Sequence, residues 1–176
     1  MEIVRQIQQE AAEIHQDNSS FNMDGCSKGN PGLAEYSGLF RDARGAWIFG
    51  YHGKLKSATN EEAELWEIYK GLTIILEKSM RDVLIETDVE NVVLHINTTT
   101  TSNYPYRALL EDIKFLMQRC NCAVSHILRE GNKCADRLAN MGVSHGGNLE
   151  VLENPPSEIA SLLVADIYLV KGLKLV

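Results

Sequence analysis

The chain has no excess of basic residues. Its 17 lysines and arginines are outnumbered by 24 aspartates and glutamates, for a net charge of −7 and a pI of about 5.2. That balance argues against a general nucleic-acid binder with a basic footprint. The objection is partial, because acids that hold metal ions contribute to the sum and a bound ion reverses their local field. No apolar run approaches membrane-spanning length, and the opening MEIVRQIQQEAAEIHQ is too polar for a signal peptide. No membrane partner is therefore expected, and the location is expected to be intracellular, nucleus or cytoplasm. The four cysteines, Cys26, Cys120, Cys122 and Cys134, form no paired C-x-x-C knuckles. A structural zinc site is thereby disfavoured and reduced thiols are expected. Cys120 and Cys122 read as two thiols on one face of a strand start. No internal repeat stands out, and no low-complexity segment beyond the threonine run.

What is present is an ordinary globular composition, 44% hydrophobic and 23% charged over 176 residues, enough for one domain with a sizeable core. Ile3, Val4, Ile7, Ala11 and Ile14 follow a helical period, predicting a linker helix over 1–18. Phe21–Asp24 reads as a strand end entering a glycine-rich turn, GCSKGNPG. Tyr36–Arg41 and Ala46–Leu55 are aromatic-rich runs separated by RDARG, whose Gly45 suits a hairpin. From Thr59 to Met80 the period becomes helical, with Thr59 or Asn60 as cap and acids in the first turn. Asp82–Thr87 suits a short buried strand. Val89–Ile96 and Tyr106–Arg119 read as helices around the polar connector NTTTTSNYPY. Cys122–Leu128 is a strand, and Asn132–Met141 a helix. The order β-β-β-α-β-α-α-β-α implies an α/β fold, a mixed sheet with helices on both faces. The expected organisation is a domain over 19–145 and a tail over 146–176, with a short helix after its prolines.

Four acidic settings stand out: Asp24 in FNMDGCSKGNPG, a glutamate of TNEEAELW, Asp88 in VLIETDVENVV and Asp136 in REGNKCADRLA. Most sit where a strand ends or a helix begins, so one sheet edge could collect them. Converging carboxylates repel and are costly to desolvate unless a cation joins them. Hard divalent cations with oxygen ligands resolve this, which points to metal-assisted phosphodiester chemistry. Each acid also has an ordinary explanation. Asp24 could be a turn aspartate, Asp88 a helix cap, and the glutamates a charged first helical turn. Asp136, beside Ala135 and Leu138, is harder to explain that way, because a carboxylate against an apolar face needs a partner.

DGCSKGNPG, TNEEAEL, ETDVE and REGNKCADRLA, in this order and on these elements, resemble a type 1 RNase H domain. The likeness is closest to the plant group found in retroelement reverse transcriptases and as separate proteins, and it covers roughly residues 20–143. A lone DG or TD would be weak, whereas four blocks in order are a strong signal. The resemblance implies an RNase H-like fold with a five-stranded mixed sheet, and a nuclease that cuts the RNA strand of RNA–DNA hybrids. It also implies two Mg2+ ions, with Mn2+ as an alternative, one activating water and one stabilising the leaving oxygen. Matching motif positions makes Asp24, Glu64, Asp88 and Asp136 the metal ligands and catalytic residues. The block T-N-x-x-x-E-L selects Glu64, with Glu61, on nearly the same helical face, as fallback. Gly25, Cys26, Ser27, Asn30, Thr59 and Asn60 become candidates for sugar and phosphate contacts, and Arg129 for a phosphate contact. RNA selection would rest on 2′-hydroxyl hydrogen bonds. The expected state is a monomer or part of a larger polypeptide.

Three departures from the family bear on activity. NTTTTSNYPY stands where bacterial members carry a basic protrusion. His126 lies in a strand rather than on the loop where the family often has a histidine. Glu61 brings a negative charge close to the T-N pair. The missing protrusion, with the acidic balance, favours as a second reading a weak or inactive nucleic-acid-binding module derived from a retroelement RNase H. A third is another nuclease of the same fold, such as a single-strand exonuclease.

Overall fold

The computed structural model describes residues 20–29, 31–99, 102–128, 133–142 and 149–170, and the backbone alone for 20–29, 139, 140, 142 and 166–170. The helix expected over 1–18, with Asn30 and Arg129, lies outside the described residues. Three strands open the fold: β1 (Ser20–Gly29), β2 (Gly32–Arg41) and β3 (Trp47–Ala58). They pair antiparallel in sequence order, as a meander. Asp42 shapes the turn between β2 and β3, its carboxylate accepting the N–H groups of Arg44 and Ala46, both at 2.9 Å. Gly45 there has φ 83°, a conformation a β-carbon would strain.

The expected glycine-rich turn is corrected. Residues Gly25 to Gly29 stay in β1, paired with β2 as far as Gly29 opposite Gly32. Glycine weakens a strand only modestly, and a continuous ladder to a long neighbour outweighs that preference. Asp24 is therefore a mid-strand residue rather than a strand end.

Helix α1 (Asn60–Glu77) follows, then β4 (Leu84–Thr87), α2 (Glu90–Asn97), α3 (Arg107–Cys120), β5 (Ala123–His126) and α4 (Lys133–Gly142). Thr59 caps α1 as expected, accepting the Glu62 N–H at 3.1 Å. The thiol pair is not a strand start: Cys120 closes α3, Asn121 caps it at φ 53°, and Cys122 precedes β5. A further strand, β6 (Leu149–Leu152), completes the sheet, whose order is β5-β4-β1-β2-β3-β6, with β4 parallel to β1 and β5 parallel to β4. Five of these strands are those the resemblance implies. The sixth, β6, comes from the segment read as tail and pairs antiparallel with Gly50–Gly53 of β3. Four residues are too few for alternation to announce a strand, so the free edge of β3 decides it.

Alternation along β2 splits the core. Tyr36 and Phe40 face one side, where Phe49 stacks on Phe40 at 4.1 Å and α1 contributes Leu65, Ile68, Leu72 and Ile75. Leu110 and Ile113 of α3 and Val92 and Val93 of α2 close that layer. Each such fully buried aliphatic stabilises the fold by about 1.5–3 kcal/mol before entropy is counted. Leu39 faces the other side, against Cys134, Ala135 and Leu138 of α4 and Ile159 and Leu163 of α5 (Ser157–Val170). No helix among the described residues is long and apolar enough to cross a membrane.

Candidate active site

Strand register determines how near two of the acids lie. The last parallel pair between β1 and β4 joins Asn22 to Glu86. Asp24 and Asp88 each follow that pair by two residues, Asp24 still within β1 and Asp88 just past the end of β4. Asp88 comes directly after β4, as expected. Its segment is anchored just past the end of β5, where the Ile127 N–H donates to the Thr87 carbonyl at 2.9 Å. His126 closes β5, with Nε2 3.2 Å from the Asp88 carbonyl oxygen. The N-cap position of α2 falls on Val89, not Asp88.

Helix α1 packs on β1 and β2. Glu64 lies on its buried side, 5% exposed. The fallback, Glu61, faces elsewhere: its carboxylate accepts from the Tyr104 hydroxyl at 2.9 Å and stands 3.5 Å from His95 Nε2. Burial first, and then the Glu61 carboxylate, push the Tyr104 phenol well above its usual range. Tyr106 shares a 2.7 Å hydrogen bond with Thr59. The connector before α3 is therefore bound to the N-terminal turn of α1 through its two tyrosines. Thr59 and Asn60 keep their expected place at that turn, with Asn60 exposed.

Asp136 is the fourth residue of α4 and half-buried, beyond the buried Cys134 and Ala135. Helix α4 packs across β1 and β2 on the face that holds Leu39. Gly25, Cys26 and Ser27 continue β1 past Asp24, opposite Tyr36, Glu35 and Ala34. Among the described side chains, no three His, Cys, Asp or Glu groups stand close enough to hold a metal ion; the Asp24 side chain is not among them. What the backbone brings together is β1 beside β4, with α1 and α4 packed on β1 and β2.

Two buried polar residues escaped sequence reasoning. Glu67, one turn beyond Glu64, is fully buried, and its Oε1 accepts the Ser37 N–H at 3.1 Å. Ser37 is fully buried too and is the register partner of Asp24. Glu67 also acts on Tyr51, whose hydroxyl donates to the Glu67 carbonyl at 2.9 Å. Burial, and then the Glu67 charge, raise the Tyr51 phenol well above its usual range. The available signal was a glutamate on the apolar face of α1, at position i+3 from Glu64.

Comparison with known proteins agrees with this architecture. The reverse transcriptase-like family model matches residues 22–142. An Arabidopsis thaliana protein, named provisionally as a ribonuclease H protein, is 35% identical over 146 residues, 82% of this chain and 24% of its own length. The chain thus spans about a quarter of that relative. RNase H1 of Halobacterium salinarum superposes with a TM-score of 0.65 at 24% identity, over 72% of this chain and 96% of its own. LC11-RNase H1, crystallised with an RNA/DNA hybrid, gives 0.66 at 21% identity, over 72% and 97%. At such identities the two structures speak for the fold alone. With the family model covering well over half of the chain and the expected strands and helices in order, this protein belongs to the reverse transcriptase-like family and has the RNase H-like fold.

Proposed function

We propose that this domain is a metal-dependent endonuclease that hydrolyses the RNA strand of RNA–DNA hybrids. The observation that carries the reading is the parallel pairing of β1 and β4, with Asp24 and Asp88 each two residues past its last pair and with the helix bearing the buried Glu64 packed on β1. Acids on packed neighbouring elements, with Asp136 on the helix across the sheet, would favour a cation over mutual repulsion where their carboxylates converge. The donor set is carboxylate oxygen throughout, which fits Mg2+ or Mn2+ rather than a soft metal. Asp24, Glu64, Asp88 and Asp136 would hold the ions, which when bound supply Lewis-acid activation of water and charge neutralisation at the phosphate.

The chain's own residues supply position. The Thr59 cap keeps the first turn of α1 formed, with the exposed Asn60 beside it as a candidate contact to a sugar or phosphate of the substrate. The ladder from Gly25 to Ser27 offers backbone beside the acids. Ile127 and His126 hold the Asp88 segment from the end of β5. The relative's greater length suits a domain that works within a larger polypeptide.

Incubating purified protein with labelled hybrid, duplex RNA and single strands, in Mg2+ and in Mn2+, tests the proposal. Hybrid RNA should be cut, and Asp24→Asn should abolish cutting. Intact hybrid RNA in both metals, under conditions where the protein binds it, would sink the nuclease reading. That outcome would favour a binding module, a reading supported by the net charge of −7 and by connector tyrosines engaged with α1 rather than basic groups facing substrate.

A further inference from the structure

Ser37 touches, directly or through one neighbour, three of the elements that carry the proposed ligands. It lies opposite Asp24 in the β1–β2 register. Its N–H donates to Glu67, three residues along α1 from Glu64. Its hydroxyl donates to the carbonyl of Ala135 at 2.9 Å, one residue before Asp136 on α4. The two bonds run to helices on opposite faces of the sheet, and both partners are fully buried.

A buried glutamate is an expensive way to pack a helix, and leucine would fill the space without desolvating a charge. The inward residues around it on α1 are otherwise Ala63, Ile68, Gly71 and Leu72, and the other buried carboxylate there is Glu64, a proposed ligand. Simple anchoring is the competing explanation, but the apolar layer around Ile68 and Leu72 already anchors α1. What the polar bonds add is direction. They fix the rotation of α1 and the height of α4 relative to one residue of β2, the residue opposite Asp24.

We propose that Ser37 and Glu67 form a cross-sheet staple that positions Asp24, Glu64 and Asp136, and so sets the affinity of the site for its cations. They are positioning residues, contacting neither substrate nor metal. The inference rests on the nuclease reading for the identity of the ligands, though not on the rate of cleavage. Supporting groups of this kind are typically worth 10–100-fold in metal affinity.

The test uses the full chain and Mn2+ alone, with binding followed by electron paramagnetic resonance. Thermal unfolding and the Mg2+ concentration for half-maximal cleavage are measured in parallel. Ser37→Ala removes the hydroxyl that donates to Ala135, and Glu67→Leu removes the carboxylate that accepts the Ser37 N–H. Each should weaken Mn2+ binding by about 10-fold and raise the Mg2+ requirement by a similar factor, with the rate recovering at saturating Mg2+. Glu67→Gln keeps an acceptor for the Ser37 N–H and should stay within about threefold of wild type. Lower unfolding temperatures with unchanged Mn2+ affinity would reduce the staple to packing and overturn the proposal. So would a glutamine variant as impaired as the leucine one, since charge rather than hydrogen bonding would then be responsible. Should Glu67→Leu fail to fold, Ser37→Ala decides. Wild type that binds Mn2+ without cutting hybrid refutes the nuclease reading and leaves the staple to be judged on affinity. Wild type that binds no Mn2+ refutes both.

Discussion

Replacing Thr59 with alanine removes two interactions at the N-terminal turn of α1. The hydroxyl accepts the Glu62 N–H at 3.1 Å, one of the donors the helix cannot satisfy internally. It also shares the 2.7 Å hydrogen bond with Tyr106, which ties the connector to the helix. Loss of a cap costs about 1 kcal/mol, within a range of about 0.5–2. A part-buried hydroxyl pair contributes about 1 kcal/mol more, and its loss leaves the Tyr106 hydroxyl to find water. The sum is about 2 kcal/mol. For a chain of this size, about 2–4 °C per kcal/mol turns that into a fall of about 4–8 °C in Tm. Urea denaturation followed by circular dichroism should show it as a lower midpoint with an unchanged slope. Thr59→Ser preserves both bonds and should stay close to wild type. Tyr106→Phe should lose about 1 kcal/mol, and Thr59→Ala/Tyr106→Phe should be little worse than Thr59→Ala, since the two single changes break the same bond. A Thr59→Ala variant within about 0.5 kcal/mol of wild type would refute the view that this cap anchors α1.

Gly50→Ala should destabilise the fold by about 1–3 kcal/mol, measured by denaturant titration. A β-carbon there would press on the Trp47 ring, with Cζ2 at 2.9 Å and the Gly38 carbonyl oxygen at 3.3 Å. The indole cannot swing away freely, because its Nε1–H donates to the Glu153 carbonyl at 3.2 Å; Trp47→Ala in the same chain should relieve part of the cost. Alkaline titration gives a third prediction. Burial raises the Tyr36, Tyr51 and Tyr104 phenols, so the unfolded chain, with phenols near about 10, releases these protons first. Their contribution is fully present below about pH 10 and declines as pH rises beyond it. Stability from denaturation at stepped pH should therefore fall steeply above about pH 10, and Tyr51→Phe should soften that fall.

Local chemistry explains most of what could be read in advance. The helical period of Ala63, Ile68, Leu72 and Ile75, with a threonine before it, marks α1 to within three residues at its C-terminal end. DVLIET and CAVSHIL announce the two short parallel strands as brief runs with apolar residues between polar segments, and each strand is part buried and part half-buried. The four acidic motifs were legible as motifs. The use of Glu61 was not: its partners, Tyr104 and His95, lie 43 and 34 residues away along the chain, and nothing local marks them as neighbours. The sixth strand was hidden for a similar reason, since LEVL becomes a strand only against the free edge of β3.

The sequence by itself determined the order of the elements from β1 to α4, the Thr59 cap and the Gly45 turn, because period, capping and turn chemistry act within a few residues. Only the tertiary structure decided that Asp24 sits within a long strand opposite Ser37, that Glu61 is held by the connector, and that Glu67 reaches the sheet. Those facts rest on contacts such as Ser37 to Glu67 and Ser37 to Ala135, 30 and 98 residues apart. Pairings at that separation form only when sheet and helices assemble together, and no window of sequence contains them.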